Sequence, residues 1–193
     1  MIQYRRIAGI VLGIWLGAAT FADIAVTQNF DTVDRFLRSP GSSMTAIEID
    51  KIGNERLRPV LRRNAGEENN FLFENWETAE LAVAALIISL LFAGGKPSRL
   101  MLSLAFLMMF IVAVQRFYLS PEVAALGRRI ADLPANDPLT ARFWKAHGIY
   151  SGLEIGKLLL GAALAVRLSL RRRRDSERMM GTPETELIAG LNG

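Results

Sequence analysis

The sequence predicts an all-α fold built from four transmembrane helices. Although 22% of the 193 residues are charged, four stretches of the chain are almost free of charge. A bilayer core about 30 Å thick needs roughly 20 helical residues to cross it, and these stretches reach that length when flanking side chains extend to the interface. Aromatic residues such as Trp76 and Trp144 stand near their ends, as at membrane interfaces. We expect the four helices near residues 6–29, 76–95, 98–119 and 143–170.

The first and last helices have the longest apolar stretches. Residues 7–22 carry no charge, and the apolar character continues past Asp23. Residues 146–170 contain only three charged residues, Glu154, Lys157 and Arg167. Each stretch is long enough to cross a bilayer as a helix.

A cleaved signal peptide is the alternative for residues 1–22, since Arg5 and Arg6 precede an apolar run. The uncharged run is longer than the 7–15 residues typical of a signal peptide, which favours a retained helix. The sequence leaves cleavage open.

The two middle helices are predicted from residues 81–95 and 100–115, which carry no charge. Gly and Pro in residues 94–98 form a connection so short that the two helices must be antiparallel neighbours. A soluble bundle is the alternative, but a soluble helix needs a polar face, and residues 82–93 offer only Ser89.

The connections between the spans are expected to contain short helices. Residues 30–75 are too long for a simple loop, and Ser43 is suited to cap a helix that begins near Met44. Pro59 would bend the basic amphipathic segment around it or begin a second short helix. That segment lies either in the headgroup plane or against the bundle. A short surface helix is expected at 123–130.

The distribution of Lys and Arg predicts the orientation. Residues 1–174 form the membrane domain, and residues 175–193 form a mobile cytoplasmic tail. Basic residues flank both termini and the short hairpin, so the positive-inside rule places both termini in the cytoplasm and the protein in the plasma membrane. The first connection is also basic, but the densest cluster, residues 171–174, lies next to the tail.

Two series of glycines with a spacing of four residues lie in the first and last helices. Such small-residue ridges allow close contact between helices in lipid, where no hydrophobic effect drives association. The ridges predict that the first and last helices pack closely, either on each other or across a homodimer. The alternative is that glycine is simply common in membrane helices. The ridges consist of Gly9, Gly13 and Gly17, and of Gly148, Gly152 and Gly156.

Polar and ionisable residues from all four helices fall at one level of the predicted bundle. Charged groups in a membrane are costly, so they pair with one another or face a cavity. One hypothesis is a network that only holds the bundle together, in which Arg116 pairs with one of the carboxylates of Asp23, Glu77 or Glu80 and Glu154 pairs with Lys157. The other is a small polar cavity, open to the outside, that binds a cation or solute or relays a proton. The layer consists of Asp23, Glu77, Glu80, Gln115, Arg116, His147, Ser151, Glu154 and Lys157.

The composition excludes several classes of site. The chain has no Cys, which removes disulfides, iron–sulfur clusters and thiolate zinc sites. A single His, His147, makes a multi-histidine metal site impossible and leaves axial ligation of a haem as a minor alternative. We therefore expect no metal and no cofactor. The basic residues lie at membrane edges, so the expected partners are the lipid bilayer and a second copy or a larger membrane complex, not nucleic acid.

Short motifs in three of the helices carry a resemblance to a known family. These motifs are Gly13-Ile14-Trp15-Leu16-Gly17 with Phe21 and Phe30, then Gln115-Arg116-Phe117-Tyr118, then Phe143 with His147 and Ser151. The chain resembles the transmembrane protein 205-like family (domain of unknown function 4149) over most of residues 5–170. The resemblance implies a four-helix integral membrane protein without an established activity, so no catalytic residue is implied. The first connection is longer and more charged than that pattern.

Two classes of function follow from the sequence. The first is a non-enzymatic structural or accessory membrane protein that packs through its glycine ridges. The second is a small-solute or ion transporter or channel that uses a polar cavity in the outer leaflet. No proline interrupts a predicted span and the two halves show no symmetry, which favours the first class.

Overall fold

The computed structural model describes residues 2–130, 133 and 137–180, with side chains described for 3–130, 133 and 137–170. This part of the chain is helical and contains no strand. In chain order the helices are α1 (Ile2–Arg38), α2 (Ser43–Ile52), α3 (Asn54–Ala93), α4 (Arg99–Val114), a π-helical turn (Gln115–Leu119), α5 (Ser120–Ile130) and α6 (Pro138–Met180).

The protein is membrane-embedded. Three helical segments of the described chain are long and apolar enough to cross a membrane: Gln3–Arg38, Asn54–Ala93 and Arg99–Ile130. Large apolar side chains face outward from them; Phe21, for example, is 73% exposed. Such a surface is favourable in lipid and costly in water.

The four longest helices contact one another around a shared apolar core. Helix α1 packs against α3 and α6, and α4 packs against the same two helices. Each helix places a stripe of side chains with a spacing of three or four residues on the inside. Core residues include Leu12 and Trp15, Ala84, Ile87 and Leu91, Met101, Met108 and Val112, and Leu164 and Leu168.

Helices α1 and α3 are longer than predicted, so the expected connection of residues 30–75 is mostly helical. Polar contacts between the two helices continue beyond the apolar stretches: Asn69 donates to the carbonyl of Val26 at 3.2 Å and pairs with Asn29. Arg58 approaches Asp34 to 3.3 Å. These contacts stabilise helical residues that hydropathy alone does not predict.

The amphipathic basic segment is the beginning of α3 and does not form a separate helix. Pro59 lies inside α3, close to its start, without ending the helix. The one independent helix of the connection is α2, and its N-cap is Ser42, not Ser43: the Ser42 hydroxyl accepts from the Thr45 N–H at 3.1 Å. Gly53, with φ = 87°, separates α2 from α3 in a conformation that favours glycine.

The predicted third helix does not end at residue 119. The chain continues from α4 through the π-helical turn into α5, passing Pro121 without a break. The N–H of Ser120 bonds to the carbonyl of Gln115, five residues earlier, which is the wider turn of a π-helix. The expected short helix at 123–130 is therefore the end of this continuous segment.

Helix α6 begins at Pro138, five residues before the predicted start. Asp137 accepts from the Leu139 N–H at 2.8 Å, and proline is favourable in the first helical position because it needs no partner for an N–H. The helix continues to Met180, so the first residues of the expected mobile tail, 175–180, are helical. Residues 181–193 of that tail lie outside the described residues.

Candidate functional site

A buried lysine lies at the centre of the four contacting helices. The Lys157 ammonium is within 2.7 Å of both carboxylate oxygens of Glu80 on α3, and within 2.8 Å of Glu154, one turn earlier on α6. Lys157 is only 1% exposed. Because an unpaired charge in this environment costs several kcal/mol, the contacts with the two carboxylates stabilise the buried ammonium.

The other two helices complete the same group, which we call the Lys157 cluster (Trp15, Glu80, Gln115, Glu154 and Lys157). The Trp15 indole N–H of α1 donates to Glu80 at 2.8 Å. The Gln115 amide, in the first position of the π-helical turn, donates to Glu154 at 3.0 Å. Each of the four helical segments that cross the core thus contributes a polar side chain.

Glu77 forms a second buried group beside the cluster. Its Oε1 atom accepts from the Tyr150 hydroxyl at 2.8 Å and from the Ser120 hydroxyl. Its Oε2 atom and the Oε1 atom of Gln115 are buried without a hydrogen-bond partner. Buried acceptors normally have a donor, so this region favours an additional proton or donor group.

Helical periodicity explains why these polar side chains meet. Tyr150, Glu154 and Lys157 are spaced by four and three residues, and Gly161 and Leu164 continue the same stripe into the apolar core. The polar residues therefore occupy core positions of their helix. On α3, Glu77 and Glu80 likewise continue the stripe of its core residues.

A cavity of about 590 Å³ adjoins these buried groups. It lies between α1, α3, α5 and α6, and Glu154 belongs both to its lining and to the Lys157 cluster. At the same end the lining includes Asp23 and Ser151. It also includes Ser120 and Tyr150, whose hydroxyl groups donate to Glu77. Apolar walls follow, formed by residues that include Val26, Phe30, Phe73, Val123, Phe143 and Ile155.

Charged residues line the opposite end of the cavity, near the start of α3 and the end of α5. Arg62 approaches Asp34 to 3.8 Å, and Arg128 approaches Glu67 to 3.6 Å. The Arg62 guanidinium also lies 5.7 Å from the centre of the Phe30 ring, within the range of a cation–π interaction.

The structure brings most of the predicted polar layer together. Glu77, Glu80, Gln115, Glu154 and Lys157 are buried, and four of them belong to the Lys157 cluster. The expected pairing of Glu154 with Lys157 is present at 2.8 Å.

The remaining members of the layer lie at its edge. Asp23, Ser151 and His147 line the cavity, and the exposed imidazole of His147 stacks on Phe143 with ring centres 5.8 Å apart. Arg116 donates to the Thr78 hydroxyl at 3.1 Å, whereas the sequence predicts that it pairs directly with a carboxylate.

Sequence reasoning missed three side chains of the site: Trp15, Ser120 and Tyr150. Tyr150 lies on the same helical stripe as Glu154 and Lys157, so its spacing was a usable signal. Trp15 and Ser120 carry no such signal, because their partners lie 65 and 43 residues away in the chain.

Helices α1 and α6 pack on each other, which is one of the two predicted arrangements, but the glycine ridges do not form their contact within one chain. A Cβ atom added at any ridge glycine would meet nothing within 4 Å. The two helices do contact each other, but through Gly161, where an added Cβ would lie 2.6 Å from Leu16 and 3.1 Å from Met108. The ridge glycines are Gly9, Gly13, Gly17, Gly148, Gly152 and Gly156.

The described residues contain no group of three or more His, Asp or Glu side chains arranged to hold a metal ion. The buried carboxylates bind an ammonium, an indole N–H and hydroxyl groups instead. The carboxylates of the site therefore act as acceptors for hydrogen-bond donors and for positively charged groups.

Taken together, these features define a helical membrane-embedded protein with a polar site inside its apolar core. No family model matches the chain, and no curated protein or solved structure matches it either. The cavity and the buried polar groups are the features of the protein that bear on its function.

Proposed function

We propose that this protein is a non-enzymatic, four-span membrane protein that binds a small molecule in its cavity, as a solute carrier does. The observation that carries the proposal is the position of the cavity, which reaches the buried ionisable layer at Glu154 and Asp23. A network that served only to hold helices together would need no such space, because protein interiors are normally close-packed.

The fourth span of this proposal is α6. The charges that would oppose its insertion, Glu154 and Lys157, face inward, where the Lys157 ammonium pairs with Glu154 and Glu80. Its outward residues include Ile149, Ile155, Leu159 and Val166, which suit contact with lipid.

A carrier fits the cavity better than an open pore. The lining residues of α1 and α6 reach as far as Asp23 and Ile155. Beyond that level the tight contact of Leu16 with Gly161 fills the space between the same two helices. A ligand could therefore enter from one end while the other stays closed.

We further propose that the protein lies in the plasma membrane with both termini in the cytoplasm. Arg5 of α1 lies against Gly94 of the α3–α4 connection, so the N-terminus and this basic hairpin are at the same end of the molecule. The positive-inside rule places that end in the cytoplasm. Membership of the transmembrane protein 205-like family, which the sequence motifs favour, agrees with this arrangement and remains a proposal.

The proposed function is tested by filling the cavity. Ser151→Trp places a large ring in the lining, whereas Ile149→Trp places the same ring on the lipid side of the same helix. Both variants and the wild type are placed in phosphatidylcholine nanodiscs, and their unfolding temperatures are measured with n-decylamine, n-decanol and n-decanoate.

We expect at least one probe to raise the unfolding temperature of the wild type and of Ile149→Trp in a saturable way. The Ser151→Trp variant should lose that response. If no probe stabilises the wild type, or if Ser151→Trp responds like the wild type, the cavity is not a binding site and the proposal fails.

A structural or accessory role is the second candidate, and the outward position of the glycine ridges favours it. Gly13 and Gly152 are exposed with open space around them, so a second copy or another membrane helix can approach both. This role is compatible with ligand binding, since none of the ridge glycines lines the cavity.

A further inference from the structure

We propose that the ligand of the cavity is a cationic amphiphile, that is, an amine or ammonium head group attached to an apolar chain. This inference rests on the proposed function and specifies its ligand class. The head group would lie at the Asp23–Glu154 end, and the chain would lie along the apolar walls.

The charge balance at that end favours a cation. Four carboxylates lie at this level, on Asp23, Glu77, Glu80 and Glu154, whereas the cations placed beside them in the described chain are Lys157 and Arg116. Two negative charges therefore remain uncompensated if all the carboxylates are ionised. A positively charged head group in the cavity offsets part of this excess of negative charge.

The aromatic lining also favours a cation. Phe73 and Tyr150 line the cavity beside Glu77, and their rings pack edge-on with centres 5.4 Å apart. Aromatic rings grouped around a carboxylate are a common way to bind alkylammonium groups.

The arginines of the lining do not make the cavity an anion site. Arg62 is near Asp34, and Arg128 is near Glu67. Arg63 has an interaction of its own as well. An anionic head group at this end would have to compete with those carboxylates, and at the other end it would meet Asp23 and Glu154.

The walls and the size of the cavity suit an apolar chain. Its volume of about 590 Å³ lies within the range of roughly 300–1,000 Å³ that is typical of small-molecule sites. Val26, Val123 and Ile155 are among the wall residues, and Ile155 is 60% exposed on the lipid-facing surface. Ile155 therefore borders both the cavity and the surrounding lipid.

Three decyl probes separate the head-group chemistries. n-Decylamine is protonated at pH 7, because alkyl ammonium groups have pKa values near 10.4, whereas n-decanol is neutral and n-decanoate is anionic. Binding is measured by thermal unfolding in phosphatidylcholine nanodiscs for the wild type, Asp23→Asn, Asp23→Glu and Asp31→Asn. Asp31→Asn removes the same charge from the same helix, but residue 31 does not line the cavity.

We expect decylamine to bind the wild type at least tenfold more tightly than either other probe. Asp23→Asn should weaken decylamine binding about tenfold, as loss of one close opposite charge can do, and leave decanol binding unchanged. Asp23→Glu and Asp31→Asn should retain decylamine binding.

Other results overturn the inference in distinguishable ways. If decanol or decanoate binds as tightly as decylamine and Ser151→Trp blocks that binding, the ligand class is wrong while the binding function stands. If decylamine binding does not depend on Asp23, the carboxylate does not recognise the head group. If Ser151→Trp affects none of the probes, the inference and the proposed function both fail.

Discussion

Lys157 shows most clearly how single residues shape this protein. Its ammonium is buried in an apolar core and is held by Glu80 and Glu154 at 2.7 and 2.8 Å. The helical spacing of Glu154 and Lys157 predicted their contact. Glu80 joins them through tertiary packing alone, since it lies 77 residues away in the chain.

We predict that Lys157→Met strongly destabilises the protein. The substitution leaves the carboxylates of Glu80 and Glu154 buried without their cation, which costs roughly 3–5 kcal/mol in comparable buried pairs. The measurement is the unfolding free energy in mixed detergent micelles. The double variant Glu80→Gln/Lys157→Met should recover part of the loss, because one carboxylate no longer needs a partner.

The control for this prediction is Arg128→Met, which removes an exposed ion pair with Glu67. Exposed pairs contribute roughly 0–1 kcal/mol, so this variant should unfold almost like the wild type. Equal effects of Lys157→Met and Arg128→Met would show that the buried cluster does not stabilise the fold.

At the scale of single elements, tertiary contacts extend some helices beyond their apolar stretches. Helices α1 and α3 extend past the apolar stretches because Asn69, Asn29 and Asp34 hold their polar ends together. Hydropathy found where each helix is apolar. It did not find where each helix begins and ends, because polar contacts between helices leave no periodic apolar pattern.

We predict that Gly161→Leu lowers the unfolding temperature in detergent, whereas Gly152→Leu on the same helix does not. A side chain at position 161 would collide with Leu16 and Met108, and overpacking of a core costs about 1–3 kcal/mol. Position 152 has open space around it. Gly152→Leu should instead weaken chemical cross-linking between copies if the ridge is an interface.

The opposite order of stability would contradict this prediction. A large loss of stability in Gly152→Leu, with little change in Gly161→Leu, would mean that the ridges join helices within one chain after all. The close approach at Gly161 would then not be the α1–α6 contact in the membrane.

At the scale of the whole molecule, the two ends of the protein differ in character. The end that contains Arg5 and the α3–α4 hairpin contributes no residue to the lining of the described cavity. The other end holds α2, α5 and the cavity. This asymmetry is what a binding site open to one side of a membrane requires.

We predict that the two ends lie on opposite sides of the membrane. The chain has no Cys, so single cysteines can be placed at will. In intact cells, a membrane-impermeant maleimide should label Lys51→Cys in α2 but should label Lys96→Cys in the hairpin only after permeabilisation. The unmodified protein, which should take no label, is the control.

The reverse labelling pattern would invert the proposed orientation but keep the spans. Labelling of both positions in intact cells would mean that residues 51 and 96 lie on the same side, so that α3 does not cross the membrane. The four-span arrangement would then be wrong.

The sequence by itself predicted that the protein is helical and membrane-embedded, because four nearly uncharged stretches that reach spanning length with their flanking residues are typical of membrane helices. It also identified most of the buried polar residues, because ionisable groups are rare in such stretches and stand out there. The role of glycine could not be read in the same way. A spacing of four residues marks a smooth face on a helix, but the direction of that face depends on the neighbouring helices.

Only the tertiary structure decided that Gly161 is the close contact, that Trp15, Ser120 and Tyr150 belong to the site, and that a cavity adjoins it. Each of these depends on residues far apart in the chain being brought together. The spacing of residues along a helix determines which side chains share a face. Empty space between helices depends on how several helices pack, which no single segment specifies.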